Sequence, residues 1–238
     1  MSPSSNLGQL IDRQVSRWES KQGVPVEEHP SLRGTFGHLA EGPWITISTQ
    51  LGAGGAALAA GLGARLGWQV FDKEILAEVA KNTHTREKVL SRLDEHAVGT
   101  FDDYVAHLFV PGNLGHSAYV LELMRVVWAI ARQGQAIMLG RGANWLLDPR
   151  YGLRVRAIAH VDKRVQWLTR TQAMSAAAAI RRVEQDNDDR ARFTRQVYRQ
   201  DIDNPLGYDL VVNLGTVDLE PAVGLVVAAL SSKLKAAD

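Results

Sequence analysis

Apolar residues in this chain fall into short, nearly unbroken blocks separated by longer stretches where they recur every three or four positions. The first pattern predicts strands buried on both faces, the second amphipathic helices. The strand blocks are Trp44-Ile45-Thr46-Ile47-Ser48, Gln69-Val70-Phe71, Ala136-Ile137-Met138-Leu139, Val155 to Val161, and Tyr208-Asp209-Leu210-Val211-Val212-Asn213. Between and after them the spacing predicts helices over about 54–66, 73–81, 117–133, 175–199 and 218–235. Gly67 and Gly134 end two of these helices. Asp162 reads as the N-cap of the helix after the fourth strand, and His160 as a packed residue within that strand. Residues 82–116 are polar with scattered apolar positions, which predicts helices and a mobile loop around Pro111-Gly112-Asn113.

Strands alternating with helices predict an α/β domain over 44–238, a five-stranded parallel sheet with helices on both faces. Ahead of it, residues 1–43 form an N-terminal extension. Leu7, Leu10, Ile11, Val15 and Trp18 lie at helical spacing, so 6–21 is read as a helix that packs on its own domain or forms a homodimer contact. Parallel sheets bind ligands at the carboxyl ends of their strands. Those ends carry Ser48 to Gly55, Asp72, Gly140-Arg141, Val161-Asp162 and Asn213.

Composition narrows the partners. The 238 residues suit one large domain, and 45% apolar residues supply its core. Lys and Arg total 27 against 26 acidic residues, a net charge of +1, so neither nucleic acid nor a membrane surface is an expected partner. An anion must be met by a local cluster of positive groups. Without cysteine there are no disulfides, thiolate metal sites or thiol nucleophiles. The seven histidines show no metal-ligand spacing with carboxylates. No leader and no run of about 20 apolar residues is present, so the expected location is cytoplasmic.

Chemistry concentrates at strand ends. Ser48-Thr49-Gln50-Leu51-Gly52-Ala53-Gly54-Gly55-Ala56-Ala57 joins a buried strand to a helix. In that setting the N–H groups of Gly52, Ala53, Gly54, Gly55 and Ala56, with the helix dipole, can cradle a phosphate. Tight helix–strand packing alone would also ask for the glycines. Asp72 either caps the helix after it or faces a ligand. Arg141, between Gly140 and Gly142, can grip a phosphate with its planar fork or pair with a carboxylate. The stretch from Arg181 to Arg199 carries six arginines interspersed with acids, which also fits a solvated helix.

Three separated segments resemble the cytidylate kinase-like family, in the nucleoside monophosphate kinase branch of the P-loop NTPases. They are ITISTQLGAGGAALAAGLGARLGWQVFDKEIL, IMLGRGANWLL and DDRARFTRQVYRQDIDNPLGYDLVVN, in the family's order across about 44–232. The resemblance implies phosphoryl transfer from ATP, with Mg2+, to CMP or another pyrimidine nucleoside monophosphate. It assigns residues 52–57 to the donor phosphates, Asp72 and Arg141 to the acceptor, and Arg190 and Arg195, in a lid over about 175–200, to the transferred group. It also exposes a departure. The loop's usual lysine falls on Gly55, and the hydroxyl that would hold magnesium falls on Ala57. Two other expectations therefore stand beside the kinase: a nucleotide-binding regulatory module without turnover, and a kinase of a small metabolite.

Overall fold

The computed structural model describes residues 43–91, 101 and 118–235. The N-terminal helix expected over 6–21 and most of 92–117 lie outside them. Five strands, β1 (Trp44–Thr49), β2 (Gln69–Phe71), β3 (Ala136–Leu139), β4 (Gly152–Ile158) and β5 (Leu210–Asn213), form one sheet in the order β2-β3-β1-β4-β5. Every pair is parallel. The helices are α1 (Gly55–Leu66), α2 (Lys73–Lys81), α3 (Thr83–Leu90), α4 (Ala118–Gln133), α5 (Ala143–Leu146), α6 (Val161–Thr171), α7 (Ala176–Tyr198) and α8 (Leu219–Lys235).

Burial on both faces explains why the strands read as unbroken apolar blocks. Along β1 and β3, Trp44, Ala136 and Met138 face one core with Phe71, Leu76, Val127 and Ile130 from β2, α2 and α4. Ile45, Ile47, Ile137 and Leu139 face the other, with Leu58 and Leu62 of α1 and Val223 and Val226 of α8. The paired helices α6 and α7 hold a smaller cluster of Leu168, Ala179 and Val183, against which Leu51 packs. The connection leaving β1 runs to the β2 edge and the one leaving β3 runs back past β1 to β4. Connections that diverge this way open a crevice above the strand ends.

Three local expectations are corrected. β4 starts and ends three residues earlier than the apolar block, at Gly152 and Ile158. Leu153 is already buried, and the Ala159 N–H bonds to the Gln50 side chain instead of continuing the ladder. Consequently α6 begins at Val161 and its N-cap position is His160, not Asp162. His160 is not a packed strand residue: its side chain is 74% exposed, 3.3 Å from Asp162. Asp162 sits in the first turn, where its charge suits the helix's positive end.

Away from the crevice, Asp209 ties β4 to α8. Its carboxylate accepts from the Arg154 main chain and guanidinium at 2.8, 3.3 and 2.9 Å and from Lys233 Nζ at 2.6 Å. Burial pushes this carboxyl up, but the bonds from Arg154 and Lys233 outweigh it and hold it below its ordinary value. A carboxyl depressed by folding stabilises above its unfolded pKa of about 3.9 and loses that contribution as pH falls through its folded value. Asp209→Asn is expected to lower stability near pH 7 by about 1–2 kcal/mol, the weaker part of the range because the cluster is partly solvated. Urea unfolding of both proteins should show the gap shrinking as the pH is lowered below about 4.

Candidate active site

The turn after β1 is held by its neighbours, which leaves its far end open. Gln50 donates its N–H to Ala157 O at 3.2 Å, accepts Ala159 N–H on Oε1 at 3.1 Å, and accepts Ala53 N–H on its carbonyl at 3.1 Å. Arg164, buried on α6, donates Nε to Leu51 O and Nη2 to Asn187 Oδ1 of α7, both at 2.8 Å. Gly54, at φ 88°, precedes α1 without any side-chain cap. The N–H groups of Gly54, Gly55, Ala56 and Ala57 bond to no other described residue. Free N–H groups at the positive end of a helix receive an anion. Of the expected Gly52–Ala56 set, Ala53 N–H is turned onto Gln50, while Gly52 N–H likewise bonds to no described residue.

Above the ends of β1 and β3 lies a cleft of about 520 Å³, bounded by this loop, the start of α2, the Gly140–Gly142 turn and α7. Arg141 has a left-handed backbone, φ 57°. Its Nε and Nη2 both donate to Lys73 O, at 3.2 and 3.1 Å. Among the described residues no carboxylate is within ion-pair distance of it. The cleft's other cations are engaged, Lys73 with Glu74 at 3.3 Å and Arg190 with Asp186. Among the described residues, Arg141 is thus the cation of this cleft left available for an anionic ligand. Asp72 caps α2, its Oδ1 accepting from Glu74 N and Ile75 N at 3.0 and 2.8 Å. Its capping role and its place in the cleft are compatible, since Oδ2 bonds to no described residue.

A second cleft of about 470 Å³ lies on the opposite side of the loop, between α6 and the turn from Leu214 to Leu219. Lys163, Trp167 and Arg170 share the α6 face that borders it. Trp167 is 42% exposed and borders both clefts. Neither Lys163 nor Arg170 has a carboxylate partner among the described residues.

The sequence profile of the cytidylate kinase-like family matches residues 44–216, which take in the loop, Asp72, the Arg141 turn and α7. The chain belongs to the cytidylate kinase-like family. An uncharacterized protein from Eubacterium ventriosum superimposes with a TM-score of 0.64 at 19% identity, over 79% of this chain and 98% of that one. A shikimate kinase from Bacteroides thetaiotaomicron gives a TM-score of 0.42 at 15% identity, over 76% and 94%. At 19% identity the likeness to the Eubacterium ventriosum protein concerns the fold alone. A uronate isomerase from Corynebacterium glutamicum is 32% identical over 98 residues, 41% of this chain and 19% of that protein. The chain therefore spans a small part of that relative's length. No helix among the described residues is long and apolar enough to cross a membrane.

For this cytidylate kinase-like chain, the structure gathers Gly52, Gly54, Gly55, Ala56, Ala57, Asp72, Arg141 and Arg190 around the first cleft. Ala53 borders the second. Arg195 is exposed and borders neither. The empty lysine position has a steric explanation. A Cβ on Gly55 would lie 2.3 Å from Thr49 Oγ1 and 2.4 Å from Thr49 Cβ, so the threonine fills the space a lysine stem would need. Thr49, Arg164, Trp167 and Tyr198 were not singled out from sequence. The Lys163, Trp167, Arg170 spacing was a usable helical signal. Arg164 and Tyr198 act on main-chain carbonyls distant in sequence, which leaves no pattern to read.

Proposed function

We propose that the chain transfers a phosphoryl group from ATP to a pyrimidine nucleoside monophosphate, CMP. The observation that carries this reading is the meeting of two clefts at one glycine loop whose N–H groups from Gly54 to Ala57 bond to no other described residue. The second cleft takes the nucleoside half of ATP, its base against Trp167 and its phosphates near Lys163 and Arg170. The loop holds the donor phosphates by backbone. In the first cleft Arg141 leaves the Lys73 carbonyl for the acceptor's phosphate, and Asp72 lies beside the acceptor. Arg190, released from Asp186, neutralises charge on the transferring group, and Arg195 joins it when the end of α7 closes in. Mg2+, where it accompanied ATP, would neutralise charge on the donor phosphates beside the glycine loop. Ala57 offers it no hydroxyl, and the described residues hold no group of three carboxylates or histidines for an ion.

The test is ATP consumption over a panel of nucleoside monophosphates, paired with binding titrations. CMP is expected to stimulate consumption most. Trp167→Ala should weaken ATP binding by about 1–3 kcal/mol, the worth of one base–aromatic stack. A second reading, a nucleotide-binding module without turnover, is favoured by Thr49 standing in the lysine's place. ATP that binds but is not consumed with any monophosphate would select it.

A further inference from the structure

We propose that Tyr198 is a positioning residue for the acceptor site: its hydroxyl holds the Arg141 main chain in the turn that presents the guanidinium, and so ties that turn to helix α7. This rests on the reading of Arg141 as the ligand of the acceptor's phosphate. A non-glycine residue in the left-handed region carries a cost of about 1–2 kcal/mol, so the turn at Arg141 needs outside support.

The support comes from the last turn of α7. Tyr198 Oη donates to the Arg141 carbonyl at 2.8 Å. The ring lies against the next residue so closely that a Cβ on Gly142 would sit 2.1 Å from Tyr198 Cε2. Phe193, which borders the cleft, meets the Tyr198 ring edge-on at 6.1 Å. On the other side, the Arg141 guanidinium rests on the Lys73 carbonyl. Backbone and side chain of Arg141 are thus held from separate elements. Burial pushes the phenol's pKa up, so it keeps its proton and remains a donor.

Helix α7 also reaches the glycine loop. Asn187 bonds to Arg164, whose Nε bonds to the Leu51 carbonyl. One helix is therefore linked to the donor loop through Arg164 of α6 and bonded to the acceptor turn through its end, while carrying Arg190. A shift of α7 that brings Arg190 onto a phosphoryl group acts directly on the backbone of Arg141. The position of Arg141 is set by the lid helix as well as by the sheet.

Tyr198→Phe removes the hydroxyl and keeps the ring against Gly142. In the full chain it is expected to weaken CMP binding roughly tenfold, the value of one hydrogen bond, with ATP affinity unchanged. In an Arg141→Ala background the same substitution should have no further effect on CMP, because its action passes through the guanidinium. Gly142→Ala, whose methyl displaces the same ring, should repeat the CMP loss. If Tyr198→Phe binds CMP as the wild type does, or weakens it equally with and without Arg141, the positioning role is overturned. If Arg141→Ala itself binds CMP normally, the acceptor reading fails as well.

Discussion

Arg141→Ala weakens CMP binding by about 1.5–3 kcal/mol, the range for hydrogen bonds to a charged group, with folding little changed. The expectation follows from how the guanidinium is engaged. It rests on a neutral carbonyl at the edge of a cleft of about 520 Å³, with no carboxylate within ion-pair distance among the described residues. A ligand phosphate that displaces the Lys73 carbonyl exchanges a neutral acceptor for a charged one that can take both prongs of the fork. Arg141→Lys should recover only part of the affinity, because an ammonium makes no bidentate pair. Arg141→Gly separates binding from folding. Glycine at φ 57° removes the left-handed penalty, so thermal stability should hold or rise while CMP affinity falls as in the alanine variant. Isothermal titration with thermal unfolding on the three variants measures both. Normal CMP binding together with easier unfolding of Arg141→Ala would show that the residue is structural.

The second large effect concerns Gly55. Restoring a lysine there alone is expected to destabilise the chain by about 1–3 kcal/mol and to weaken ATP binding, because the new Cβ overlaps Thr49 and overpacking distorts the loop. The paired change Thr49→Gly with Gly55→Lys removes the overlap. It should fold like the wild type and, on the kinase reading, raise turnover by on the order of 10²-fold, the usual worth of one charge aimed at a transition state. The reason is local. Thr49 leaves β1 and Gly55 starts α1, so the two face each other across the loop. A single substitution at either end meets the other. Unchanged turnover in a correctly folded double variant would show that the loop no longer delivers donor phosphates to this position.

Much of the site was legible in the chain because it lies at strand ends. A strand that reads as an apolar block ends where the block ends, and a parallel sheet gathers those ends on one side. Asp72, the loop and the Gly140–Gly142 turn could be brought together on paper for this reason. Arg190 could be placed beside them only through the family resemblance. The spacing that made Lys163, Trp167 and Arg170 one helix face was equally available, but nothing in it says that a loop lies opposite.

The apolar blocks of the chain already specify the parallel α/β fold and the sheet edge at which its loops gather. Both follow from short-range patterning: apolar blocks that need cover on both faces, and glycines at the chain reversals between them. Only the tertiary structure decided which charges are available. Among the described residues Arg190 is ion-paired and Arg141 is not: Arg190 stands among acids on α7, and Arg141 lies between two glycines. The Arg190–Asp186 pair is local, four residues apart on α7, whereas the contact of Arg141 with the Lys73 carbonyl is made by two elements that docking brings together. The same holds for Thr49 against Gly55 and for Tyr198 against Arg141, each a contact made by two elements whose separation along the chain carries no trace of their meeting.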